Sequence, residues 1–433
     1  MGLIFMNVYF YTLGCKVNQY ETQALCEKLK SAGYSICHSA DIADIIIVNS
    51  CTVTAVSDQK TRQAVRKFKR NNKDAIVVLT GCMPQAYPSK SLELLSADII
   101  MGNRNNDDIL TLLDEKLKKD ERVVSIIKHE NSDKFDNLGI SSFDERTRVF
   151  VKIQDGCDRF CSYCIIPTSR GRSRSKPFDK LKTELENIAK TGYKEVVLVG
   201  INLSCYGADT NSSLCDAVEL ACSFDSFERV RLGSLEPDHL TDEVLKRLSK
   251  NDKLCPSFHI SLQSGCDQTL KRMNRHYTTD EYYNLCNKIR ENFKDATITT
   301  DIMVGFPLES DEDFKQTIDF VSKIGFEKIH TFPYSVRNGT KAANITPQIA
   351  KSVKDERCKK MICTGDKIRS SFFTSQIGKT VEILCETHID GYIYGYTKNY
   401  TPVKIKHAID LHGQLKKAKI TDVDGDYCVG VFI

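Results

Sequence analysis

The chain has 433 residues, with 61 Lys and Arg against 57 Asp and Glu, so its formal net charge is only +4. At 41% apolar and 27% charged it has a globular balance, and its length exceeds one ordinary core, so two to four domains are expected. The small net charge excludes a global field for nucleic acid and leaves only local patches, and no apolar run reaches the length of a membrane span.

Residues 1–10 (MGLIFMNVYF) lack a basic start and a small-residue cleavage site. They read as the lead-in to a first strand and not as an export signal. Met1 and Met6 serve equally as a start. Without export the expected location is the cytoplasm, where clustered thiols mean metal or redox work more often than disulfides.

Residues 7–13 predict a strand. Asn18 then predicts a helix N-cap, with Glu21 completing a capping box, and the helix ends at Gly33. Residues 45–49 and 76–80 are apolar strands. Such alternation predicts a parallel α/β domain over residues 1–135. Residues 60–73 (KTRQAVRKFKRNNK) carry seven basic residues and no acid, with Ala64, Val65 and Phe68 as the buried stripe. Residues 128–146 are polar and aperiodic, as expected of a linker.

Six further strands are predicted at 148–154, 195–200, 229–233, 258–262, 297–304 and 328–332. Helical patterns separate them, among them 178–190 and 311–323, the latter capped by Ser310 and stopped by Gly325. Six β/α units imply a partial (β/α) barrel within residues 143–372, with function at the carboxyl ends of its strands. The period then shortens. Five strand patterns over residues 376–433 predict a small antiparallel barrel of a kind that often binds RNA.

Cys157, Cys161 and Cys164 form a C-x3-C-x2-C run just after the first barrel strand. Three thiolates on one loop can grip three irons of a 4Fe–4S cluster and leave the fourth open. Structural zinc is the alternative, but it wants four closed ligands, usually in two pairs. Cys15, Cys51 and Cys82 show no local motif. Each nevertheless follows a strand of the first domain, and parallel strand ends share one edge. With adjacent strands ~4.8 Å apart, their thiols can converge on a second metal site. Three unrelated buried cysteines are the alternative, and the other twelve show no such register. Arg170, Arg172, Arg174 and Lys176 form a basic patch after the cysteine loop, a candidate for phosphate contact beside the 60–73 stripe. The C-terminal block balances its charges. Tyr392, Tyr394, Tyr396 and Tyr400 can stack on bases or pack the strands.

The cysteine loop resembles the radical S-adenosylmethionine (SAM) superfamily, and nearly the whole chain resembles its methylthiotransferase family. The phrases that carry the resemblance are Tyr11-Thr-Leu-Gly-Cys-Lys-Val-Asn-Gln-Tyr-Glu21, Asn49-Ser-Cys-Thr-Val-Thr54, Leu79-Thr-Gly-Cys-Met-Pro-Gln85, Ser234-Leu-Glu-Pro237, His259-Ile-Ser-Leu-Gln-Ser-Gly265, Met273-Asn-Arg-His-Tyr-Thr278 and Thr300-Asp-Ile-Met-Val-Gly-Phe-Pro307. The wording around Cys15 and Cys51 is similar to the branch acting on N6-threonylcarbamoyladenosine (t6A) at tRNA position 37. Two phrases depart from the family: Gly-Phe-Pro-Leu-Glu-Ser at 305–310, and Pro-Tyr-Ser-Val-Arg-Asn-Gly-Thr-Lys at 333–341.

The resemblance implies two 4Fe–4S clusters, a C-terminal TRAM barrel and the replacement of an adenine C–H by C–SCH3. One SAM methylates a sulfur at the second cluster, and another yields the hydrogen-abstracting radical. Its SAM contacts fall on Gly200, Asn202, Ser234, Glu236, Gln263 and Gly305, with Glu236 as the expected ribose-hydroxyl acceptor. A tRNA anticodon loop, a reductant such as flavodoxin or ferredoxin and an unidentified sulfur donor are the implied partners, with no membrane. The rival readings are the sister reaction on isopentenyl-adenosine tRNA or a ribosomal protein, and a zinc-bound RNA-binding scaffold without catalysis.

Overall fold

In a computed structural model, residues 6–136, 138–143 and 147–433 are described. The first five residues of the expected lead-in strand, and part of the expected linker, lie outside them. Packing divides the chain into two units. The first holds Met1–Ser141, Lys152–Pro177 and Ser335–Ala343, and the second holds the rest. The cysteine loop groups with the N-terminal sheet, and the C-terminal barrel groups with the central strands.

The first unit is built on six parallel strands: β1 (Asn7–Thr12), β2 (Ser35–Ile36), β3 (Ile45–Ser50), β4 (Ile76–Gly81), β5 (Ile99–Met101) and β6 (Val123–Ser125), ordered β2-β1-β3-β4-β5-β6. Strands β3 and β4 are buried along their whole length, because their side chains alternate between two covered faces. Ile45, Ile47 and Val78 meet Leu25 and Leu29 of the helix Lys16–Ser31 on one face. Ile46, Val48, Val77 and Leu79 meet Val65 and Phe68 of the helix Ala55–Asn71 on the other. Each such side chain contributes about 1.5–3 kcal/mol of burial.

The first helix starts three residues earlier than expected, and Cys15 is its N-cap position. Asn18 therefore caps nothing, and Glu21 makes no capping box. Both are buried and hydrogen-bonded elsewhere, and that competing use displaced the expected cap.

In the second unit β7 (Arg148–Lys152) pairs into a parallel sheet ordered β11-β10-β7, with β10 (Glu195–Val199) and β11 (Arg229–Leu232). The short pair β8 (Gln154–Asp155) and β9 (Arg174–Ser175) belongs to the first unit. Only Gly233 separates β11 from β12 (Ser234–Leu235), which opens the sheet β12-β13-β14-β15. That sheet continues through β13 (Ser257–Ile260), β14 (Thr297–Val304) and β15 (Lys328–Pro333), all parallel. Six strand positions with intervening helices reproduce the expected partial barrel. A 24-residue helix, Lys351–Thr374, packs on β15 and was not expected, because its buried residues are few and scattered.

The strands β16 (Thr380–Ile389), β17 (Tyr392–Thr397), β18 (Pro402–Lys406), β19 (Leu415–Asp424) and β20 (Tyr427–Phe432) close the expected small barrel. It is fixed to the amino ends of the parallel strands. Arg229 donates to the carbonyls of Tyr396 (3.0 Å) and Glu382 (2.8 Å), and Arg231 to that of Lys398 (3.1 Å). Tyr396 and Tyr400 stack on each other at 4.5 Å with Arg148 against them, and Tyr394 packs edge-on to Tyr427. For these three tyrosines the packing reading holds.

Candidate metal centre

Register brings Cys51 and Cys82 together. Ser50 pairs with Gly81 across β3 and β4, so each cysteine leaves its strand at the same level. Gly81 has φ +94°, and a Cβ there would meet Ser50 backbone at 2.5 Å. Gly14 has φ +126°, and its Cβ would stand 3.1 Å from the Cβ of Cys51, which puts the Cys15 turn against Cys51. All three cysteines thus occupy one edge of one sheet.

Two asparagines attend these thiols. Cys15 Sγ donates to Asn18 Oδ1 at 3.3 Å, and Asn18 Nδ2 donates to the Ser50 carbonyl at 3.1 Å and to Asn49 Oδ1 at 3.2 Å. Asn103 Nδ2 approaches Cys82 Sγ at 3.9 Å and donates to the Ser169 carbonyl at 2.8 Å. Burial pushes the Cys82 thiol up to about 12, against the opposing charge of Arg170. Behind Cys51, Arg337 donates to Thr52 Oγ1 (2.8 Å) and Asp58 Oδ2 (2.7 Å), and Thr52 Oγ1 donates to Asp58 Oδ1 (2.6 Å). Arg337 lies in the departing segment 333–341, and the anchor is present there.

The loop of Cys157, Cys161 and Cys164 belongs to the same unit, and its thiols are half-buried. Cys157 N donates to the Gly171 carbonyl, Cys164 N to that of Cys161, and Ile166 N to Cys164 Sγ at 3.5 Å. Ala342 N donates to the Ser162 carbonyl at 2.7 Å, so residues 335–343 reach this loop as well as Thr52. Each set offers three soft thiolate donors, and backbone N–H groups point at two of the sulfurs. That donor chemistry fits an iron–sulfur cluster held by three residues.

The expected basic patch is not a surface. Arg170 is 1% exposed, Lys176 3% and Arg174 8%. Arg170 forks onto Glu21 (2.6 and 2.9 Å) and reaches Asp155 (3.2 Å) and Asn18 Oδ1 (3.3 Å). Lys152 Nζ contacts Glu21 (3.1 Å), Asp136 (2.7 Å) and Asp155 (3.1 Å), and Arg174 contacts Asp155. Lys176 donates to Tyr20 Oη. Lys152, Arg170 and Arg174 thus neutralise carboxylates within the fold, Lys176 is tied to Tyr20, and the buried cations of the patch do not present a surface to phosphate. Only Arg172 remains on the surface, against Phe160 and Asp158. Burial alone would raise Asp155, but Lys152, Arg170 and Arg174 outweigh it and hold the carboxyl far below its ordinary range. The sequence signal for this cluster was a lysine directly after the apolar run Val149-Phe150-Val151, with an aspartate three residues on.

In the second unit the six expected SAM contacts all stand at carboxyl ends of strands. Glu236 is already held by a fork from Arg275, and Asn202 donates to Cys205 Sγ at 3.1 Å. Gly305 has φ +67° and faces Lys354, so packing explains its glycine. Ser234 is exposed, and Gln263 adopts φ +71°.

The model of the "Radical SAM superfamily" matches residues 151–321, and that of "Uncharacterized protein family UPF0004" matches residues 7–102. The chain is 34% identical to the "Threonylcarbamoyladenosine tRNA methylthiotransferase MtaB" of Bacillus subtilis, over 98% of this chain and 96% of that one. It is 37% identical to the protein of that name from Aquifex aeolicus, over 90% and 97%. A "tRNA-2-methylthio-N(6)-dimethylallyladenosine synthase" of Pelotomaculum thermopropionicum is 32% identical over 96% of each. Among solved structures, the radical S-adenosylmethionine methyltransferase TsrM of Kitasatospora setae superposes with TM-score 0.57 at 12% identity, over 78% of this chain and 74% of that one. At that identity the likeness shows the fold alone.

Proposed function

From the premise that the chain belongs to the radical SAM tRNA methylthiotransferase family, we propose that it converts t6A to 2-methylthio-t6A at position 37 of tRNA. The observation that carries this reading is the presence of two three-cysteine sets in one packed unit. Cys157, Cys161 and Cys164 would hold the cluster that binds SAM, and Cys15, Cys51 and Cys82 a second 4Fe–4S cluster. The clusters and SAM supply what side chains lack: one-electron chemistry that opens an unactivated C–H bond, and the sulfur that replaces the hydrogen.

The chain's own residues bind and orient. Gly200, Asn202, Ser234, Glu236, Gln263 and Gly305 line the strand ends where SAM would lie. Ser234 and Gln263 are the contacts whose side chains make no hydrogen bond to a described residue. With the second patch buried, phosphate binding passes to Arg172 and to the helix Ala55–Asn71. Lys60, Arg66, Lys67 and Arg70 on that helix, and Lys73 just beyond it, are exposed and form no salt bridge with a described residue. The helix begins four residues after Cys51 and extends about 25 Å, a length that can follow several phosphates of an anticodon stem. A flavodoxin- or ferredoxin-like reductant and a cytoplasmic location complete the reading.

The test is the methylthio-nucleoside profile of tRNA from cells lacking the chain. Loss of 2-methylthio-t6A, restored by the wild-type gene, is expected. Persistence of that nucleoside with loss of the methylthio isopentenyl mark would assign the sister reaction instead.

A further inference from the structure

Two tethers of the Cys15, Cys51 and Cys82 set lead to the five-residue helix Ile166–Arg170, besides the Arg337 anchor behind Cys51. That helix starts two residues after Cys164, whose Sγ accepts from Ile166 N. From its last turn the Ser169 carbonyl accepts from Asn103, the amide beside Cys82. The Arg170 guanidinium donates to Asn18 Oδ1, the atom that receives the Cys15 thiol. Asn18 in turn holds Asn49 and Ser50, the two residues before Cys51. One guanidinium therefore stands one amide away from two of the three cysteine turns.

The same guanidinium is locked from the opposite side. Glu21 takes it in a fork at 2.6 and 2.9 Å, and Asp155, two residues before Cys157, takes it at 3.2 Å. The surrounding charges balance without any cluster: Lys152, Arg170 and Arg174 stand against Glu21, Asp136 and Asp155. Three cysteine thiolates and their irons add net negative charge to this buried region. Arg170 is the cation of the group that also bonds Asn18, and it is the one aimed at the thiols.

We propose that Arg170 is a positioning residue for the second cluster, which it serves as buried counter-charge while tying the cluster's cysteine turns to the Cys157–Cys164 loop. The proposal rests on the two-cluster reading above. Its chemical content is electrostatic. A fixed cation in a poorly screened interior favours the more negative, reduced state of a thiolate-bound cluster. Removing that cation lowers the reduction potential. Lysine restores the charge but not the planar fork.

The test uses the full chain with Cys157, Cys161 and Cys164 changed to Ala, so that only the second set can load. Four versions are reconstituted with iron and sulfide: the parent, Arg170→Lys, Glu21→Gln, in which Asp155 still partners Arg170, and the pair Arg170→Gln with Glu21→Gln. Removing both partners spares the fold the unpaired buried charge that a single change would leave. Thermal unfolding checks that the paired variant folds. Iron content and an electron-paramagnetic-resonance redox titration are then read.

The expected result is a cluster potential that stays close to the parent in the lysine variant and is more negative in the glutamine pair than in Glu21→Gln, which differs from the pair by the Arg170 charge alone. Failure of a folded glutamine pair to retain iron, while the lysine variant retains it, supports the same role. Equal potentials in the glutamine pair and in Glu21→Gln overturn the proposal and make Arg170 a structural ion-pair partner only. Equal loss of iron from the lysine variant and the glutamine pair also overturns it, because retained charge would then count for nothing. A parent that takes up no iron would overturn the two-cluster reading and this proposal with it.

Discussion

The two cysteine sets solve one problem in opposite ways. Cys157, Cys161 and Cys164 sit within eight residues of one another, half-exposed on a loop closed by its own backbone. Cys15, Cys51 and Cys82 come from three turns joined by strand register, with Cys51 and Cys82 buried. The local set is ordered first by its own short loop, which Ala342 of the segment 335–343 also ties down. The distributed set needs a sheet, two asparagines, a buried ion cluster and residues 335–343. A local motif is thus held by short-range geometry, whereas a distributed one depends on long-range packing and tolerates less damage to it.

The largest expected difference is functional. Cys161→Ala should abolish SAM cleavage and, with it, all methylthio product. Cys51→Ala should leave SAM cleavage measurable as 5′-deoxyadenosine but stop methylthio transfer. Chromatography of nucleosides after reaction with reduced, reconstituted protein reads both. Full product from a Cys51→Ala protein with about half the iron would break the division of labour between the sets.

How much of this was legible in the sequence follows from the same contrast. The local set could be read from spacing. The distributed set could be read only through strands β1, β3 and β4, whose apolar runs are unmistakable, and whose turns then fell into register. The charges could not be read. Arg170, Arg174 and Lys176 looked like a phosphate patch because sequence shows like charges in a row and does not show the carboxylates of Glu21 and Asp155 folded against them. Asn18 looked like a cap because an Asn with Glu three residues on usually is one. Here tertiary bonds to Ser50, Asn49 and Arg170 claim it. The barrels were legible by period, and the helix Lys351–Thr374 was not, since its apolar residues mark no continuous face.

A medium effect tests how far the distributed set leans on the rest of the chain. Arg337→Met would leave Asp58 buried with only Thr52 as partner, which costs about 3–5 kcal/mol. A lower thermal midpoint is expected, together with iron loss from the Cys51 side ahead of the loop. Adding Asp58→Asn removes the unpaired charge and should recover much of the midpoint. No recovery would mean that Arg337 acts by packing, for instance against the Tyr87 ring, which its guanidinium covers at 4.9 Å.

The smallest effect separates the sets by reactivity in the metal-free chain. Burial lifts the Cys82 thiol to about 12 from its ordinary value near 9, so folding favours the protonated form. The sign follows: between those two values an unfolded chain would already expose thiolate while folded Cys82 remains a thiol. Alkylation proceeds through the thiolate, so at pH 8 Cys82 should react at least about tenfold more slowly than the half-exposed loop cysteines. Its rate should climb with each pH unit toward 12 as the thiolate fraction grows. Mass-spectrometric footprinting with iodoacetamide resolves the positions. If Cys82 were modified as fast as Cys161 at pH 8 in folded protein, its site would be open to solvent and the contrast between buried Cys82 and the half-exposed loop would fail; exposed Cys15 is not part of that contrast.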